Sequence, residues 1–149
     1  MELEQNIKDE LKIDDTKLME ELLQQSSKYF FWATKKAEAS AEVRTQKARL
    51  DEAKARLGRE YKQNNPTVKA TERVLDDYLD EHQEVRDIRG ILTRSLFTEE
   101  MLEAATHAFV ERHYALIELI GLKEREKMLT NEFEKMKEDF KKAQLARQK

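Results

Sequence analysis

The densest chemistry in this sequence lies between Lys47 and Lys62, where cations alternate with small apolar residues and end beside a tyrosine. Lys47, Lys54 and Tyr61 recur every seven residues, so on a helix they lie along one stripe. Arg56, Arg59 and Lys62 flank that stripe, and Lys69 follows across the next turn. Lys and Arg neutralise phosphates and release counterions, and a tyrosine ring stacks on an unpaired base. Backbone charge plus one ring suits single-stranded nucleic acid better than duplex, whose grooves are read by a different set of side chains. One copy of such a patch is weak, but several copies in a ring act together through effective concentration. The same residues carry a second reading. Their cations can pair with the acids of residues 72–118 in a neighbouring copy, with Tyr61 as core.

Other reactive groups point nowhere. Glu103 and Glu111 each stand four residues from His107, with His113 nearby. A di-iron bundle needs Glu-x-x-His pairs from two helices; the spacing is wrong and a second pair is missing, so no metal is expected. The chain has no cysteine, which excludes a disulfide scaffold and thiolate-held metals. Ser26, Ser27, Ser40 and Ser95 have no evident base beside them. Gly58, Gly90 and Gly121 are the only glycines, so no glycine-rich phosphate loop can be written. The expectation is a protein that is not an enzyme, without catalytic residues or cofactors. Tyr29-Phe30-Phe31-Trp32 would cover most of a helix circumference, which predicts an anchor where helices meet; a base-stacking platform is the second reading.

The elements that must position these residues are helices. Charged residues make up 40% of the chain and hydrophobic ones 39%, with three glycines and one proline. Strand-rich folds need turn residues; the strong helix formers Ala, Glu, Lys, Leu, Arg and Gln dominate instead. Residues 1–13 read as frayed or loosely helical. Asp14 or Asp15 then caps a helix over about 15–62, with rows Leu22, Tyr29, Lys36, Val43, Leu50, Leu57 and Leu18, Gln25, Trp32, Ala39, Gln46, Ala53. Gln25, Lys36 and Gln46 interrupt these rows. Asn65-Pro66 suits a helix start, giving a second helix over 66–95. Thr98 before Glu99 and Glu100 suggests a third, over 98–125. A charged, heptad-patterned extension follows at 126–149. In the last stretch one row reads Met101, Ala108, Ala115, Leu122, Leu129, Met136, Ala143 and the other Ala105, Arg112, Leu119, Glu126, Phe133, Phe140. The predicted class is all-α: long helices in a hairpin or bundle with coiled-coil seams, completed by copies of the chain in a homo-oligomer, as a ring.

The net charge of −3 hides segregation. Residues 1–27 carry eight acids against three bases, 35–62 five against nine, 72–118 twelve against five, and 119–149 six against nine. A basic stretch between acidic ones suits a polyanion on one surface and protein contacts on others. The N-terminus MELEQNIKDELK lacks the apolar core of a signal peptide, and no apolar run approaches the roughly 20 residues of a membrane helix. The expectation is a cytoplasmic protein.

The order and spacing of Glu10-Leu11-Lys12-Ile13-Asp14-Asp15-Thr16-Lys17-Leu18, Tyr29 with Trp32, Lys54-Ala55-Arg56-Leu57 with Tyr61, and Thr71-Glu72 resemble the bacteriophage UvsY-type recombination mediators, over about residues 7–125. Lys54 and Arg56 match the family's lysine–x–arginine–leucine DNA-binding signature. The family's tyrosine pair is here Glu60-Tyr61, and its glycine-rich turn is Gln63-Asn64-Asn65-Pro66. The resemblance implies a homo-oligomer larger than a dimer that binds single-stranded DNA in a bacterial host's cytoplasm. It would help a RecA-like recombinase displace single-strand-binding protein. The alternative is a coiled-coil structural or adaptor protein, of the phage scaffold type, with no nucleic-acid role.

Overall fold

A computed structural model describes residues 2–66 and 71–147. They form four helices and, among the described residues, no strand: α1 (Glu2–Leu11), α2 (Leu18–Asn64), α3 (Glu72–Glu81) and α4 (Gln83–Arg147). The chain divides into two compact units. One holds residues up to Lys28 and from Ala108 onward; the other runs from Tyr29 to His107. In each, α2 and α4 pack antiparallel.

The first unit begins with a regular helix where a frayed or loosely helical segment is expected. Leu3, Ile7 and Leu11 recur every four residues, and Ile7 is buried. Lys8 pairs with Glu4 at 2.6 Å and Lys12 with Asp9 at 2.7 Å. These surface pairs contribute little; docking holds α1. Arg112 of α4 has a side chain only 2% exposed. Its guanidinium donates to the carbonyls of Leu11 (3.2 Å) and Lys12 (3.1 Å), which lack partners at the α1 terminus, and to Gln25 Oε1 and Glu21. Gln25 Nε2 in turn donates to the Phe109 carbonyl at 2.5 Å. Gln25, which reads as a break in its row, and Arg112 are thus buried polar groups that satisfy one another. Phe109, Leu116 and Leu18 are buried in the same unit. Ahead of α2, Asp14 Oδ1 accepts from the Thr16 backbone amide and hydroxyl, turning the chain into the helix.

In the second unit α2 buries Trp32, Val43, Gln46, Ala53 and Leu57, and α4 buries Val85, Ile88, Leu102 and Ala105. Of the four consecutive aromatics only Trp32 anchors; Tyr29, Phe30 and Phe31 are 41, 73 and 49% exposed. Lys36 bonds Glu103 at 2.9 Å, and Ser40 donates to Glu99 at 2.6 Å.

The helix boundaries after α2 differ from expectation. Asn65 does not start a helix: its amide and its side chain both donate back to the Tyr61 carbonyl, closing the end of α2. The next helix begins at Glu72, and Lys69 lies outside the described residues. Residues 95–98 do not break the chain. Thr98 donates its hydroxyl to the Arg94 carbonyl inside α4, as exposed helical threonines do, instead of capping. The break falls at His82, whose backbone is extended (φ −73°, ψ 126°). His82 N–H donates to Leu79 O, and its carbonyl accepts from Arg86 N–H, so it closes α3 and opens α4. The Arg89–Asp80 pair at 2.6 Å straddles the junction.

Beyond Gly121 every described side chain of α4, through Lys142, is exposed. The expected seam Leu122, Leu129, Phe133, Met136 and Phe140 is 50 to 67% exposed and has no partner helix among the described residues. The buried row upstream is Leu102, Phe109 and Leu116 beside Ala105 and Arg112, one residue out of phase with the expected Met101, Ala108, Ala115.

Candidate nucleic-acid interface

The basic segment sits wholly on α2 within the second unit. Each residue advances about 100° around a helix, so the buried row Gln46, Ala53, Leu57 fixes where the others face. Lys47, Lys54 and Tyr61 run along one edge of that row, as their spacing predicts. Arg56 lies about 200° from Lys54, on the opposite edge, while Arg59 and Lys62 point outward. The structure therefore brings Lys47, Lys54 and Tyr61 together and sets Arg56 apart.

Their partners differ as well. Lys47, Lys54, Arg59 and Lys62 form no ion pair among the described residues. Lys47, Arg59 and Lys62 are exposed and Lys54 is half-buried. Arg56 binds Glu84 at 2.5 Å and Glu60 at 3.1 Å. Those hydrogen bonds, Glu84's first, raise the guanidinium pKa, and the bond from Arg56 holds the Glu84 carboxyl below its ordinary range. At Arg56, then, pairing with the acids of 72–118 occurs, but within one chain. Arg44, one turn before Lys47, is a further exposed cation without an ion pair among the described residues. Sequence reasoning passed over it because the densest run starts later.

Tyr61 is half-buried, and its ring meets that of Tyr78 at 4.8 Å, tilted by 45°. Tyr78 belongs to α3, which packs over the end of α2: Leu75, Tyr78 and Leu79 join Leu50, Leu57 and Val85 in one cluster. Gly58 is buried there, and a Cβ at that position would meet the Leu75 methyls at 3.7 Å, an ordinary contact. The outward residues of α3 are acidic. The helix carries Glu72, Asp76, Asp77, Asp80 and Glu81 against Arg73 alone. Tyr78 reads from sequence only as an apolar position of the expected 66–95 helix, and neither its contact with Tyr61 nor the Glu84–Arg56 pair follows from spacing, although the excess of acids over 72–118 points to their surroundings.

No helix among the described residues is long and apolar enough to cross a membrane. No protein-family model matches the chain, and no curated protein sequence matches it. Among solved structures, the chain is similar to the crystal structure of the bacteriophage T4 recombination mediator protein UvsY. The TM-score is 0.74 at 18% identity, over 84% of this chain and 96% of the other. At that identity the likeness is one of fold alone.

Proposed function

We propose that this chain is a recombination mediator, a non-enzymatic protein that binds single-stranded DNA and helps a RecA-like recombinase displace single-strand-binding protein. The fold it shares with the T4 recombination mediator carries the reading. The α2 surface supplies chemistry that supports it. Lys47 and Lys54 form a cationic edge beside Tyr61, with Arg44, Arg59 and Lys62 outward, and none of these cations is spent on an acid among the described residues. They would follow a phosphate backbone without reading sequence. Arg56 contributes less, because DNA must displace two carboxylates to reach it. A homo-oligomeric ring in the bacterial cytoplasm would multiply a weak patch into a strong one.

A titration with single- and double-stranded oligonucleotides at two salt concentrations tests this. Preference for the single strand, with affinity falling steeply as salt rises, supports it. A second reading, a coiled-coil adaptor without a nucleic-acid role, is favoured by the exposed apolar row of distal α4. Absence of binding even at low salt would establish that one instead.

A further inference from the structure

We propose that α3 is an acidic cover over the Tyr61 end of the α2 surface, and that single-stranded DNA binds fully only when this cover is displaced. The inference rests on the DNA-binding reading of α2.

Three observations carry it. First, the ring meant to stack on a base is already occupied. Tyr61 is half-buried with Tyr78 against it, and Tyr78 in turn meets His82 edge-on at 6.1 Å. Second, the occupant has the wrong charge for a DNA platform. Five acids stand against one base on ten residues, and of these acids only Asp80 is in an ion pair among the described residues. A helix of that length spans about 15 Å, comparable with the ~10 Å reach of charge at moderate salt. Its carboxylates therefore oppose a phosphate chain at Lys54 and Tyr61, and Glu84 immediately after α3 already holds Arg56. Third, α3 is lightly held. It contributes Leu75, Tyr78 and Leu79 to the core, its N-cap Thr71 makes no side-chain capping bond, and docking leaves His82 Nδ1 buried without a hydrogen-bond partner. An unmet buried polar atom counts against the docked state. The extended residue at His82 supplies a joint at one end of the helix.

A platform in which Tyr78 stacks on DNA beside Tyr61 would make the opposite prediction, so the test is direct. Hydrogen exchange of the full chain is followed with and without an oligothymidylate at low salt. The cover model expects residues 44–62 to gain protection while 72–81 lose it. Unchanged or greater protection over 72–81 overturns the proposal while leaving the DNA reading intact. No binding at all sinks the DNA reading instead. Tyr78→Ala gives a second measurement without altering charge. It should tighten single-strand binding about five-fold, and the gain should vanish in a Tyr61→Ala background. Weaker binding by Tyr78→Ala would make the tyrosine pair a platform and the cover wrong.

Discussion

Lys54 and Arg56 stand two residues apart in the sequence and on opposite edges of α2. We therefore expect them to separate in DNA binding. Each phosphate contact contributes about 0.7 to the salt slope for a single strand. Lys54→Ala should weaken binding and lower that slope, whereas Arg56→Ala should change both much less and mainly free Glu84 and Glu60. Equal losses from the two variants in parallel salt titrations would show that DNA recruits Arg56 out of its carboxylates. A different residue governs stability. Arg112 makes four hydrogen-bonded contacts from a buried position, and removing one partner from such a network typically costs about 3–5 kcal/mol. Arg112→Met should lower the urea midpoint accordingly and release α1; an unchanged midpoint would make the network marginal. Its partner Glu21 also predicts a pH response. Burial opposes its charge, but the Arg112 bond with the Lys28 and Arg112 charges outweighs burial, and the pKa falls. A folded-state pKa below the unfolded one stabilises above the ordinary carboxylate range and is lost as pH drops through the folded value. Acid unfolding should therefore begin below about pH 4.5 and be blunted in Glu21→Gln, as circular dichroism against pH would show.

At the scale of elements, distal α4 makes the plainest demand. Leu122, Leu129, Phe133, Met136 and Phe140 form an apolar seam at heptad spacing that is left exposed on α4. Leu129→Asp should leave the melting of the upstream packing almost unchanged, because the site is solvated in the single chain. It should lower the particle mass by light scattering if copies meet along this row. An unaltered mass would assign the row elsewhere. The same row shows what periodicity can reveal. It identified an apolar face but not that this face meets no other helix among the described residues. The row Leu18, Gln25, Trp32, Gln46, Ala53 was legible as a seam, although its glutamines looked like flaws; Gln25 finds its partners far along the chain, donating to the Phe109 carbonyl and accepting from Arg112, whereas Gln46 bonds Glu42 one turn away. The α3–α4 break was not legible, since His82 has neither glycine nor proline beside it and its extended backbone follows from how Leu79 and Val85 share one core. The Ser95–Thr98 stretch misled because a serine or threonine before glutamates fits a cap equally well as an exposed helical turn. In the candidate site the Lys47, Lys54, Tyr61 stripe was legible from spacing alone. Its cover was not, because Tyr78 reaches Tyr61 through tertiary packing.

For the molecule as a whole, the accessible surface is the informative quantity. The chain exposes 11733 Å², against roughly 8,000 Å² for a folded monomer of its mass. Large apolar side chains lie on that surface: Phe30, Phe97, Met128, Leu129, Phe133, Met136 and Phe140 are each more than 60% exposed. Charge also alternates by segment, basic over 35–62 and 119–149 and acidic over 1–27 and 72–118, so copies can meet with opposite signs opposed. A monomer with this surface is expected to self-associate, and a patch of a few cations needs several copies to hold a strand. We therefore expect a particle heavier than a dimer of the 17.7 kDa chain at micromolar concentration by multi-angle light scattering. Its association should be only weakly salt-sensitive if the apolar rows dominate and strongly so if the charged segments do. Its DNA affinity should fall with its mass in Leu129→Asp, since effective concentration is lost when copies separate. A monomeric mass in wild type would remove the ring, leave the α2 cations as an isolated weak site, and shift the balance toward the adaptor reading.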